Sequence, residues 1–250
     1  MISLNSVASL LKVIQSSELK TAATLSRLLD VEVLQSLGEN RYLLNVDGKE
    51  FTALSQRKLT PFEHYFARFE ISKANAQPTL SHLLKIPKIF IKLPLLENSD
   101  LFFEPKELAK ILGSKETMLN FKETLLKELA NAPSKENFQA LTPFLLSMHQ
   151  NILSIPFRFY DTFALLQFKK RYNKKTKKSF LDFYAFFSHL GPISGLVMDR
   201  EIKINVAFEE TKEHLMRHAD ELGYKLHIEV NDSIAPLYEA KEERVLDIVT

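Results

Sequence analysis

The sequence predicts an α+β fold, built from a small N-terminal antiparallel β-unit, a helical middle and a C-terminal β-β-β-β-α-β unit. Three observations predict it. Asp47-Gly48 lies between two short runs of strand-forming residues. Apolar residues recur at helical spacing between 105 and 150. From Phe163 to Val230 the period returns to two, apart from one amphipathic stretch after Phe208.

Taken in order, residues 1–37 read as helical. Val7, Leu10, Leu11 and Ile14 share one helical face, and Leu25, Leu28 and Leu29 make a second stripe. The first of these segments has no basic n-region or cleavage site, so it reads as a helix and not as a secretory signal. Arg41–Val46 and Lys49–Leu54 flank the Asp-Gly pair as a hairpin, because a type I′ turn needs φ > 0 at both turn positions. Phe62–Ile71 reads as the third strand of this unit. Residues 72–104 carry Pro78, Pro87 and Pro94 between apolar runs and read as an extended, packed-down connector.

Leu108, Ile111 and Leu112, then Met118, Phe121, Leu125, Leu126 and Leu129, predict helices, with Pro105 at a first-turn position. A further helix spans 135–150, where Pro143 is expected to kink or shorten it. Phe163–Phe168 and Phe180–Phe187 read as strands around a basic loop. Gly191-Pro192 turns the chain into Ile193–Met198, and Asp199-Arg200 leads to Glu201–Phe208. A helix over 209–222 opens with Glu209 and Glu210, which suit its positive end, and stops at Gly223. Tyr224–Val230 alternates as the last strand. The helix is expected to cover one face of a mostly antiparallel sheet. These readings divide the chain into 1–71, 72–156 and 157–250.

Composition removes several classes of function. With no cysteine among 250 residues, disulfides, thiolate metal sites and cysteine nucleophiles are excluded. The net charge of +2 carries no global field for nucleic acid. Only 6 glycines are present and no phosphate-loop pattern occurs, which argues against common nucleotide enzymes. No apolar run approaches a membrane-spanning length. A chain with 19 phenylalanines and no tryptophan is expected to have a Phe-rich core. No cofactor is expected.

Side chains that could carry chemistry are few. His214 and His218 stand four apart on one predicted helix. Leu215 replaces the Glu that a zincin requires, and no third ligand is evident, so a solvated helix face is read first and no metal is assigned. His189, with Ser188 and Asp182 nearby, lacks the nucleophile-elbow pattern and reads as a turn-edge histidine. Phe180, Tyr184 and Phe186 alternate with Leu181, Phe183, Ala185 and Phe187, so both strand faces are rich in apolar residues. Either that strand is central and covered twice, or one face is open to a partner. Lys169, Lys170, Arg171, Lys174, Lys175, Lys177 and Lys178 surround Tyr172. Such a loop is a solvated hairpin tip, a contact for an acidic protein, or a phosphate-binding element.

The run from Phe180 to Val230 resembles the C-terminal domain of bacterial flagellar hook-length control proteins. The likeness lies in order and spacing. A strand ends in Leu190-Gly191-Pro192, a hairpin follows, and then come a helix and a Gly223-led strand. Arg41–Ile71 resembles a small β-unit of relatives of that family, although Thr60-Pro61-Phe62 stands where a turn glycine is expected. The resemblance implies a protein that switches substrate specificity in type III export. Its implied partner is the cytoplasmic domain of the export-gate switch protein. Its implied contacts are Leu190, Gly191, Pro192, Ile193, Val197, Ile204 and Val206, extending to the basic loop. The chain lacks the Ser/Gln/Pro-rich segments of a ruler, so a compact relative is implied. The expectation is a non-enzymatic, cytoplasmic adaptor, with its own export left open. The alternative is a nucleic-acid-binding protein that uses residues 169–178.

Overall fold

The computed structural model describes residues 29–46, 48–71, 78–103, 117–159, 162–188 and 190–240. The helices expected over 1–28 and 105–116 lie outside these residues. Two cores organise the described chain, one inside a small barrel and one around a six-stranded sheet.

The barrel contains β1 (Leu29–Gly38), β2 (Arg41–Val46), β3 (Lys49–Ser55), β4 (His64–Ile71) and β5 (Pro78–Lys85). It closes in the order β1-β2-β3-β5-β4. β3 and β5 run parallel and the other neighbours antiparallel. This is a five-stranded Greek-key barrel, the architecture class that includes OB folds. Val31, Val33, Tyr42, Leu44, Val46 and Ala53 alternate inward and are buried. The Tyr42 hydroxyl accepts the Leu59 amide at 3.2 Å, so its polar tip is satisfied inside.

Two expectations change here. Residues 29–37, read as helix, are strand, because Val31 and Val33 point inward while β1 pairs with β2 and β4. The connector expected over 72–104 contains β5, the short helix α1 (Lys88–Ile91) and a 3-10 turn at Leu93–Leu96. β5 closes the barrel, so this unit has five strands where the sequence predicts three.

β4 begins at His64, because Phe62 occupies a turn. Glu63 N donates to Thr60 O at 3.3 Å, and Phe62 has φ 63°. Pro61 followed by a positive φ is the pattern of a type II turn, whose third position favours glycine. The Phe62 amide is held by Val33 O at 2.6 Å, while its side chain is 71% exposed.

Two helices follow, α2 (Thr117–Ala130) and α3 (Lys135–His149). Ser134 caps α3 by accepting the Asn137 amide at 3.2 Å. Helix α3 continues through Pro143 to His149, so the expected shortening does not occur. Phe121, Leu125, Leu141 and Phe144 join the core of the sheet, so the helical middle belongs to the same body as the C-terminal strands.

The sheet has the order β11-β10-β9-β8-β7-β6. Its strands are β6 (Leu153–Phe159), β7 (Thr162–Asn173), β8 (Lys178–Phe187), β9 (Gly191–Met198), β10 (Glu201–Val206) and β11 (Lys225–Val230). β6 is one strand more than the sequence reading. From β6 to β10 every neighbour is antiparallel. The chain then crosses through α4 (Glu209–Arg217) and a 3-10 turn, and β11 pairs parallel with β10. A parallel neighbour requires such a crossover.

β8 is covered on both faces. Phe183, Ala185 and Phe187 share one face with Leu166 of β7, Ile193 of β9, and Ile204 and Val206 of β10. Leu215 of α4 joins this core. Tyr184 and Phe186 share the other face with Gln167, Leu165 and Pro192. Over them lie Phe66 of the barrel, stacked on Phe186 at 5.7 Å, and Phe90 of α1, at 4.6 Å from the same ring.

Residues 231–240 complete that cover as a strap. Gln167 Nε2 donates to Tyr238 O at 2.9 Å, and Tyr238 N donates to Gln167 Oε1 at 3.1 Å. Lys88 N donates to Glu239 Oε1 at 3.1 Å, and Asp232 contacts Arg57 of the barrel. Burial pushes the Glu239 carboxyl up, against the Lys88 amide and the charges of Lys85 and Lys88. Glu63 of the barrel meets both lysines, at 3.0 and 3.4 Å.

Two backbone substitutions are expected to act in opposite directions. Relieving a left-handed L-residue gains ~1–2 kcal/mol, and the added freedom of an unfolded glycine takes back ~0.5–1 kcal/mol. Phe62→Gly is therefore expected to raise the urea midpoint. At Gly195 a Cβ would lie 2.3 Å from Lys203 O and 2.5 Å from the Phe183 ring. Gly195→Ala is expected to destabilise by ~1–3 kcal/mol through overpacking, read from the same unfolding curves.

Candidate docking site at the basic hairpin

β7 and β8 are longer than their neighbours, and this sets the geometry of the site. β6 stops at Phe168 of β7, and β9 stops at Phe180 of β8. The β7–β8 ladder continues to Asn173↔Lys178. The hairpin therefore projects beyond the sheet, with the turn 174–177 at its tip. No glycine forms this turn. Asn173 Oδ1 accepts the amides of Lys175, at 2.9 Å, and Thr176, at 3.2 Å, while Lys177 takes φ 52°.

The residues 169–178 are accordingly two strand ends and a short turn, where the sequence reading had a loop. Register places Lys169, Arg171, Asn173 and Lys178 on one face, and Lys170 and Tyr172 on the other. Arg171 grips Asp182 through two contacts, Nε–Oδ2 at 2.5 Å and Nη2–Oδ1 at 2.6 Å. Lys178 Nζ lies 3.1 Å from Asp199. No carboxylate among the described residues pairs with Lys169, Lys170, Lys174, Lys175 or Lys177. The tip is cationic, and Tyr172 stands among these lysines at 58% exposure. A surface of this kind can receive anionic groups and the apolar face of a partner side chain. The stem is fixed, because Leu181 and Phe183 are buried in the core.

The seven residues expected to form the partner contact lie elsewhere. Ile193, Val197, Ile204 and Val206 are each at most 1% exposed, on the covered face of the sheet. Gly191 and Pro192 are buried, and Leu190 packs against the core half-buried. A Cβ on Gly191, at φ 71°, would meet the Phe208 ring at 2.7 Å. Thr211 Oγ1 donates to Leu190 O at 3.0 Å, tying this turn to α4. Their role in the folded chain is packing. A partner could not reach the four core side chains without opening the sheet, so they are withdrawn as contacts.

His189 lies outside the described residues. Ser188 follows the end of β8 while Asp182 lies near its middle, roughly 20 Å away at a strand's rise per residue, and Asp182 is engaged by Arg171. His214 and His218 face each other, with ring centroids 5.2 Å apart. Among the described residues no third His, Cys, Asp or Glu joins them. Burial, and then the charges of His218 and Arg217, hold the His214 imidazole below its ordinary value of 6.5. Over β10 and β11 lies a trough of about 570 Å³, lined by Glu201, Lys203, Lys225, His227 and Glu229. It carries mixed charge, and Lys203, Lys225, His227 and Glu229 are exposed. None of the described helices is long and apolar enough to cross a membrane.

No protein-family model, curated protein or solved structure matches this chain.

The buried imidazole gives a signed pH dependence. With the folded pKa lowered, the His214 contribution is present above about pH 6.5 and is lost as the unfolded state takes up protons below it. His214→Gln is expected to flatten that fall. His64 acts in the opposite sense, because its bond to Asp30 raises its pKa and favours the folded state at lower pH. The difference between wild-type and variant urea midpoints from pH 8 to pH 5 isolates the His214 effect.

Proposed function

We propose that this chain is a non-enzymatic protein-binding regulator or adaptor that docks an acidic protein surface with the tip of its β7–β8 hairpin. The observation that carries the reading is the overhang. A rigid stem extends lysines and an exposed tyrosine beyond the body of the sheet. Charge complementarity of this kind speeds encounter and selects partners, while exposed aromatics supply contact area.

The setting we propose is flagellar type III export, in hook-length control or the switching of substrate specificity. Its support is the sequence resemblance of 180–230, where strand, hairpin, helix and glycine-led strand follow in the family's order. The proposed partner is the cytoplasmic domain of the export-gate switch protein, which places the action at the cytoplasmic side. The contact is assigned to the hairpin and not to the side chains of Ile193, Val197, Ile204 and Val206, because those are in the core.

Deletion of the protein in its source organism is expected to give long, uncontrolled hooks without filaments, measured by electron microscopy. Normal hooks and filaments would remove the flagellar setting. The triple change Lys174→Glu, Lys175→Glu, Lys177→Glu is expected to leave the unfolding curve in place and to weaken partner binding at least tenfold. A labelled oligonucleotide is the control. If it binds, with affinity falling steeply as salt rises, the hairpin is a phosphate reader and the adaptor reading fails.

A further inference from the structure

Beyond β11 no strand lies among the described residues, so this strand is one edge of the sheet. Its inward groups can be identified from the ladder. Lys225 N donates to Arg200 O at 2.9 Å, and Asn231 N donates to Val206 O at 2.8 Å. The odd residues therefore face β10. By alternation, the N–H and C=O groups of Leu226, Ile228 and Val230 point outward. Such a row is a template for another strand, and proteins commonly block it with proline, a bulge or charged side chains. β11 has no proline and no bulge, and its charges, Lys225 and Glu229, are of opposite sign. Val230 is 44% exposed, and Met216 on α4 is 52% exposed.

The order of charges along β11 determines what fits. Lys225 and His227 come first and Glu229 last, all on the face opposite Leu226, Ile228 and Val230. A parallel second copy in register would place like charges side by side. An antiparallel copy reverses the order. Centred on His227, it sets Lys225 opposite Glu229 of the second copy, and Glu229 opposite the second Lys225. The same register puts Leu226 opposite Ile228 on the apolar face, and brings outward N–H groups opposite outward C=O groups. The ionic partner that Lys225 now has, Glu201 at 3.6 Å with both groups largely exposed, is too weak to oppose this.

We infer that β11 pairs antiparallel with β11 of a second copy, joining two sheets across a two-fold axis. The occupant is this chain because its own charge order is self-complementary in that register. A two-fold contact uses the same patch on both copies. One strand pair buries less than a standard interface of roughly 1,600 Å², so the dimer is weak and dissociates on dilution. The inference is independent of the hairpin tip, which belongs to β7 and β8.

Sedimentation of the full chain from about 1 to about 200 µM tests it, a range that brackets the weak affinities of small interfaces. The expected result is a monomer at the low end and a dimer at the high end. Glu229→Lys sets Lys225 against a second lysine and is expected to shift the midpoint at least tenfold upward. The double variant Lys225→Glu, Glu229→Lys restores opposite charges and is expected to restore the dimer. Ile228→Pro removes an outward N–H that the chain's own ladder does not use, so it is expected to stay folded by circular dichroism and to be monomeric. A monomer at all concentrations overturns the inference. So does a dimer indifferent to Glu229→Lys and Ile228→Pro.

Discussion

The burial of β8 on both faces is the constraint from which the rest of the architecture follows. Phe183 and Phe187 project to one side, Tyr184 and Phe186 to the other, and all are nearly inaccessible. Each large side chain so removed from water contributes about 1.5–3 kcal/mol. A strand with two apolar faces needs a cover on each. The helical crossover that makes β11 parallel to β10 brings Leu215 into the core behind the first face. No single neighbour in sequence supplies the second. Phe66 from the barrel, Phe90 from α1 and Tyr238 from the strap converge there from remote parts of the chain. The barrel, the connector and the strap are thereby held against one strand.

Polar groups in this junction decide how the strap sits. Gln167 is fully buried among apolar residues, and its amide makes one donated and one accepted bond with the Tyr238 backbone. Each such bond contributes a net of only about 1 kcal/mol, but leaving the buried amide unmatched costs about 1–3 kcal/mol. The penalty for misplacement fixes the register of residues 231–240 more than the gain does. Glu239 extends the same logic to the α1 backbone, and Glu63 meets Lys85 and Lys88 beside it. Toward β9, β10 and β11 the same sheet face changes character, with Ser194, Asn205, Lys203 and His227 in place of aromatics, and Lys203 and His227 are exposed.

Function is placed by what the core does not need. The β7–β8 tip lies past the last paired residues of β6 and β9, where side-chain choice is free of packing. There the chain carries lysines, with one carboxylate, Asp182, in the stem and Asp199 reaching Lys178 from the neighbouring turn. The charges also keep the unpaired end of β7 from joining other edges. Phe62 is another departure from the requirements of folding. A bulky residue holds a turn conformation suited to glycine and leaves its ring in solvent, and nothing within the fold accounts for it.

By itself the sequence determined the local elements and the kind of surface the hairpin carries. Alternation at 202–208 and 224–230, the helix opened by Glu209-Glu210 and stopped by Gly223, and the doubly apolar run 180–187 are each written in neighbouring residues. So are the lysines around Tyr172. Tertiary structure alone decided how these elements pair. β1 looked helical because Leu25, Leu28 and Leu29 run into it at helical spacing, and only pairing with β2 and β4 fixed Val31 and Val33 inward. β5 looked like a connector because prolines bracket it, yet a closed barrel needs a fifth strand. The residues at Leu190–Val206 that sequence order marked as a contact became core, since alternation states which side chains share a face but not which face is covered. Coverage depends on how the crossover helix, and on the other face the barrel, α1 and the strap, pack against the sheet, and no local pattern carries that information.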